Sequence, residues 1–401
     1  PHIYTEIALN QIDGNINFLK SDLVAAFTEV TDTALVVEFH RVNDSVIVAL
    51  GDYKKWMQTE LLPKSNGSFA YGADTYAKAL MASDMIDTPL DELLKVAEAN
   101  LQANETAFQA AAKLIDPTKT ASQVLASLEV DHPAPDKLLQ ATQATLDSLR
   151  QFLIDKHIIT IVTDAPSAHV FETPPFMRAT TSASMETPGP LETAKLDARY
   201  NMTLPDPRMT KGEQEEFMHQ WYYPMISNVS VHEVYPGHYT QFLHAKEFPS
   251  ITRTLFASSA NAEGWAHYAE QMMLDEGFHN NDPKYRLAQM QDALLRNVRF
   301  IVGIKMHTQG MTVEQATKMF QEQAHQVKPV AVSEARRGTS DALYGYYTMG
   351  KLAILKLREE YKTKMGAAYS LQKFHDEFIG LGPMPLPLVR KAMQGEKGKI
   401  F

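Results

Sequence analysis

The spacing of apolar and polar positions changes character along the chain, and each change marks an element. Thr88-Pro89-Leu90-Asp91 reads as a helix start, with Thr88 the cap and Pro89 at the first helical position. A run of Ala, Leu and Glu/Gln continues that helix to about Ile115, where Asp116-Pro117 breaks it. Two further helical runs follow, about Ser122 to Val130 and Asp136 to Lys156, divided by Asp131-His132-Pro133-Ala134-Pro135. The texture then becomes short, β-branched or aromatic. Ile158 to Val162, Ala168 to Glu172 and Asp197 to Leu204 are expected strands, with Thr173-Pro174-Pro175 and Thr187-Pro188-Gly189-Pro190 as punctuation. After Met209 the pattern returns to helix almost to the end. Thr312 and Gln315 form a capping box that opens a helix carrying Ala316 to Ala324. The expectation is a mainly α chain with one small sheet. Residues 1–155 would be a helical part forming one wall of a cleft, and 156–401 the part carrying the chemistry, in one continuous fold.

Composition narrows the class. The 401 residues are 44% hydrophobic and 21% charged, ordinary for a globular chain with ample core. Net charge is −10 and no Lys/Arg run is long enough to follow a phosphate backbone, so nucleic acid is excluded as a partner. Apolar stretches such as Val46 to Leu50 are too short to span a bilayer. Cysteine is absent, which removes thiolate metal sites, disulfides and a cysteine nucleophile. Such a chain fits either compartment, with a periplasmic or secreted bacterial setting favoured over the cytoplasm. The start at Pro1 looks processed or trimmed.

One segment carries chemistry. Residues 232–238 read His-Glu-Val-Tyr-Pro-Gly-His, and Glu263 follows in Ala-Glu-Gly-Trp-Ala-His. Two imidazoles and a carboxylate suit zinc, and three protein ligands leave a fourth position open for water. In the common zinc-peptidase helix the histidines are four apart, so both face one ion. Here they are six apart, which on an ideal helix is a turn of ~240° and points them away from each other. Pro236-Gly237 offers the remedy, because the pair can form a bulge in the helix that returns His232 and His238 to one face. His232, His238 and Glu263 would then hold Zn2+, with Glu233 as general base for its water. The alternative is that one histidine caps a helix and Glu233 is merely solvated.

These blocks resemble a known family, the bacterial domain-of-unknown-function 885 proteins, which look like zinc metallopeptidases of the gluzincin type. The resemblance rests on HEVYPGHYTQ at 232–241 and EGWAHYAE at 263–270. It extends to Phe171-Glu172-Thr173-Pro174-Pro175, to His307-Thr308-Gln309-Gly310-Met311-Thr312, and to Gly350 through Arg358. It implies a zincin-like helical fold whose small sheet flanks the active-site cleft. It makes Glu263 the third ligand and Glu233 the base, and it places Tyr347 and His307 as partners of the oxyanion. Zinc-dependent hydrolysis of short peptides is the expected activity. A degenerate peptidase serving as a binding protein and a metal-dependent amidase on other substrates are the alternatives. Tyr239, His267, Gly303 and Leu343 to Tyr346 depart from the family pattern, and members are usually longer at the N-terminus.

Several neighbours keep two readings each. His267 and Glu270 share a face with Glu263. His267 is either a further ligand or a packed histidine, and Glu270 either orients a ligand imidazole or is solvated. Tyr344, Tyr346 and Tyr347 either line a cleft or fill the core. Arg336 and Arg337 either bind a substrate carboxylate or lie on the surface. Trp265 is expected to pack behind the metal site.

Overall fold

The computed structural model describes residues 1–162, 167–174, 177–178, 181–192, 197–247, 250–395, 398 and 400–401. It divides into two units, one of Pro1–Tyr71 with Thr173–Ser182, the other of Gly72–Glu172 with Ala183–Phe401.

The first unit is built on α1 (His2–Lys20), α2 (Asp22–Ala26) and α3 (Thr33–Trp56). Asp32 caps α3 by accepting from the Leu35 N–H at 3.1 Å. Asn43 of α3 is buried and donates to the last-turn carbonyl of Leu19 on α1, which joins the two helices.

The second unit begins with α4 (Ala73–Asp84), α5 (Leu90–Ile115), α6 (Ala121–Glu129) and α7 (Leu138–Asp155). Pro89 is the N-cap of α5 rather than its first helical residue, a shift of one position. Three strands follow, β1 (Ala168–Glu172), β2 (Ala183–Glu186) and β3 (Ala198–Met202), in the order β1-β3-β2. β1 runs parallel to β3, with Ala168 opposite Ala198, and β2 runs antiparallel to it. Ala198, Tyr200, Asn201 and Met202 of the central strand are buried, as expected of a strand with a neighbour on each side. The Val170 N–H donates to Gln143 of α7 at 3.0 Å, fixing the sheet to the helices before it.

The expected strand at Ile158 to Val162 is not one. Its backbone groups are taken by side chains instead of a ladder. The Thr160 N–H donates to Asp376 at 2.8 Å, and the carbonyls of Ile158 and Thr160 accept from His375 and His244, each at 2.8 Å. Ile158 and Ile159 are buried all the same, so the apolar run is core without being sheet. Pro175 of the expected Pro-Pro punctuation lies outside the described residues.

The remainder is helical: α8 (Lys211–Met218), α9 (Tyr223–Glu233), α10 (His238–Lys246), α11 (Ile251–Leu255) and α12 (Ser259–Asp275). After these come α13 (Pro283–Thr308), α14 (Val313–Gln323), α15 (Lys328–Ser340), α16 (Tyr346–Met365), α17 (Leu371–Gly380) and α18 (Leu386–Gln394). The Thr312–Gln315 capping box opens α14 as the sequence implies. α13 is buried along most of its length and touches α5, α9, α15 and α16, so it is the axis of this unit. α12 and α16 pack closely against each other, and glycine makes it possible. A Cβ on Gly350 would lie 1.8 Å from the Ala260 carbonyl, and one on Gly264 would lie 2.4 Å from the Gly350 Cα. Mainly α with a small three-stranded sheet is the architecture, as the apolar pattern implied.

Candidate metal centre

α9 enters with Pro224 in its first turn and ends at Glu233, so His232 stands on its last turn. Val234 leaves helical geometry with φ −122° and ψ −76°, the Tyr235–Pro236 bond is cis, and α10 starts at His238. The interruption is therefore a complete break into two helices, where the sequence suggested a bulge within one. Gly237 permits it, because a Cβ there would sit 1.8 Å from the His232 carbonyl oxygen. Trp265, fully buried, donates its indole N–H to the Pro236 carbonyl at 2.8 Å and pins the turn from behind.

The break brings the imidazoles together. Their centroids are 4.8 Å apart with the rings at 86° to each other. Glu263, one turn into α12, completes the group. Its Oε2 is 3.3 Å from His232 Nε2 and 3.4 Å from His238 Nε2. One ligand atom from each residue lies within 4.8 Å of the others.

Glu270, two turns after Glu263 on the same stripe, is the residue behind the group. Its Oε1 is 2.7 Å from His232 Nδ1, and its Oε2 is 3.0 Å from both His267 Nδ1 and Arg296 Nη1. Burial opposes a charge on Glu270, but Arg296 and the two imidazoles outweigh it and hold the carboxyl well below its ordinary value. An ionised carboxylate only accepts, so His232 must donate from Nδ1 and present Nε2 toward Glu263. Burial also opposes a charge on His232, yet Glu263 and Glu270 together push it up to about 10. Burial of Glu263 is likewise outweighed by His238 and His232, which keep it well below the carboxylate range.

This donor set fits a borderline divalent ion. Glu263 Oε2 and His238 Nδ1 are buried and make no hydrogen bond, and two imidazole nitrogens converge on the carboxylate oxygen. His267 is buried and neutral, pushed down to about 3 by burial and by Lys351, and it faces Glu270 rather than the group.

Glu233 is half-buried at the end of α9, beside the sheet; its charge and the stronger effect of burial both raise the Tyr200 phenol of β3. Tyr347, in the first turn of α16, has its ring 6.4 Å from that of His232. The guanidinium groups of Arg296 and Arg299 lie over it at 5.5 and 5.3 Å. Arg337 donates to the phenol oxygen of the neighbouring Tyr346 at 3.2 Å. Arg337 also holds Asp341 at 2.9 Å, and Arg336 is half-buried on the same helix. Tyr344 is core, whereas Tyr346 and Tyr347 are half-exposed.

His307 does not join the group. It is buried at the end of α13, three turns past Arg296, with Nε2 2.8 Å from the Gly338 carbonyl and its ring against Tyr76. The helix carries it away from Arg296, the residue of α13 that contacts Glu270. Arg296, Arg299 and Asp292 were not foreseen. The signal for the two arginines was available: ionisable residues inside the apolar run Leu294 to Ile304 need buried partners, and Asp292 stands one turn before Arg296.

The sequence model of a bacterial protein family of unknown function, DUF885, matches residues 1–393. The chain belongs to that family. This DUF885 member matches no curated protein in sequence. It is similar in structure to a protein described as a candidate lipoprotein of unknown function from Shewanella oneidensis, at 26% identity and TM-score 0.82, over 98% of this chain and 73% of that one. A candidate lipoprotein from Colwellia psychrerythraea shares the fold at 19% identity and TM-score 0.82, over 96% of this chain and 69% of that one. Among the described residues, no helix is long and apolar enough to cross a membrane.

Proposed function

We propose that this DUF885 protein is a zinc-dependent metallopeptidase, of gluzincin type, that hydrolyses short peptides. The observation that carries the reading is the meeting of His232 Nε2, His238 Nε2 and Glu263 Oε2 across a helix break, with Glu270 fixing the His232 tautomer. Zinc bound there would supply Lewis acidity and lower the pKa of a water from 15.7 to about 7. Glu233, next to a ligand, would serve as general base toward water at the site and return the proton to the leaving amine. Tyr347 offers its phenol proton to the developing oxyanion, and the cations around its ring favour negative charge there. The lipoprotein descriptions of the structural relatives support an envelope or secreted setting for the same chemistry.

Metal analysis of chain purified without added metal, with a mixed peptide library as substrate, tests the reading. Bound zinc and zinc-dependent cleavage that is lost in Glu233→Gln are expected. Zinc binding without cleavage would point to a binding protein on the same fold. Cleavage confined to an amide and ester panel would point to an amidase. A chain that neither holds nor takes up zinc overturns the proposal.

A further inference from the structure

We infer that the chain holds a second transition-metal site, formed by His132, Glu215 and His219 and distinct from the His232 group. The three come from separate segments. His132 lies in the loop between α6 and α7, Glu215 on α8, and His219 on the short turn His219–Trp221 that leads toward α9. One ligand atom from each lies within 4.8 Å of the others. His132 Nε2 is 3.3 Å from Glu215 Oε1, and the two imidazole centroids are 5.7 Å apart at 51°.

The state of His132 makes this more than a pair of neighbours. Its Nδ1 is 3.0 Å from the Pro133 carbonyl, which can only accept, so Nδ1 carries the hydrogen. The side chain is 6% exposed, and its Nε2 is buried and completes no hydrogen bond. That nitrogen points at a carboxylate with a second imidazole alongside. The same logic holds at His232, where Nδ1 is committed to Glu270 and Nε2 faces Glu263. A divalent cation satisfies the bare nitrogen, the carboxylate and His219 together.

Two imidazoles and one carboxylate select zinc, cobalt, nickel or copper over calcium and magnesium. Glu215 is 62% exposed, so the site opens to solvent and exchanges its ion more readily than the buried first group. Its position gives it a bracing role. The Tyr223 N–H, at the start of α9, donates to the Asp131 carbonyl at 3.3 Å, so the His132 loop is already tied to the helix that carries His232. An ion there joins α8, the turn after it and the α6–α7 loop at one point.

The test uses the full chain, stripped with chelator and reloaded with Zn2+ or, separately, Co2+, with metal per chain and the Co2+ absorption spectrum as readouts. Wild type is expected to bind two equivalents, and His219→Ala one, with circular dichroism showing the fold retained. Glu215→Gln changes an exposed side chain and should weaken the second equivalent by at least the roughly 10- to 100-fold that loss of an outer partner costs. Adding His232→Ala to His219→Ala should abolish binding. One equivalent in wild type, unchanged by His219→Ala and Glu215→Gln and lost in His232→Ala, overturns this site and leaves the peptidase reading standing; it would make His132 and Glu215 a bare ion pair. No metal in wild type overturns both.

Discussion

Glu270 shows how one buried carboxylate can set the state of a site it does not enter. It accepts from His232, His267 and Arg296, and so it ties the tautomer of a ligand to the packing of α13. Glu270→Gln should weaken zinc binding by about 10- to 100-fold in a chelator competition. It should also cost about 2 kcal/mol in denaturant, because Arg296 loses one of its two carboxylate partners and keeps only Asp292, at 3.4 Å. Unchanged zinc affinity with lowered stability would confine Glu270 to the pairing with Arg296. His375 gives the pH prediction. Its Nδ1 donates to the Ile158 carbonyl and its Nε2 accepts from Tyr268, so the ring is held neutral, and burial pushes it down to about 3. Its folded value lies below the ordinary 6.5, so the unfolded chain takes up the proton first. The stability is therefore fully present above pH 6.5 and lost as pH falls toward 3, at about 1.4 kcal/mol per pH unit. Between pH 7 and pH 5, wild type should lose about 2 kcal/mol more than His375→Gln in urea titrations. An equal loss in both would show that His375 protonates in the folded state. The candidate cluster His232, His238 and Glu263 was legible at this scale because its residue types and spacing are tied to a chemistry. Arg296 was not, since its partner Glu270 is distant in sequence and reached only through packing.

The helix break and the α12–α16 crossing are the elements that assemble the group. Each depends on a glycine whose missing Cβ lets backbone approach backbone. Gly350→Ala would push α16 off Ala260 and carry Tyr347 with it. Overpacking of this kind costs about 1–3 kcal/mol, and more where both sides are main chain. Peptidase activity should fall with it while the zinc content stays, because His232, His238 and Glu263 all lie on other elements. Tyr347→Phe separates chemistry from packing: kcat should drop by about 10²–10³-fold with KM and bound zinc little changed. Loss of zinc in that variant would make Tyr347 a structural residue. Element boundaries followed the sequence where punctuation was local, as at Asp116-Pro117 and Thr312–Gln315. They departed from it where tertiary partners decided. Ile158 to Val162 has the composition of a strand, but His375, His244 and Asp376 take its hydrogen bonds. Ala183 to Glu186 carries little β preference and is a strand because β3 offers it an edge.

For the whole molecule, the proposed ion couples the second unit's stability to metal. The ligands lie on α9, α10 and α12, and the break between α9 and α10 is held from behind by Trp265, whose helix also bears Glu263. Free zinc at a thousand times its Kd would stabilise the folded chain by about 4 kcal/mol. For a chain of this length that is a rise of roughly 5 °C in the melting temperature. The rise should be absent in a His232→Ala, His238→Ala double variant once the second site is also removed by His219→Ala. Hydrogen exchange locates the effect: chelation should speed exchange in α9, α10, α12 and the first turn of α16, while α1 and α3 of the first unit keep their protection. The first unit supplies none of the proposed ligands, so slowing throughout the chain on zinc addition would mean that the ion acts somewhere other than the His232 group.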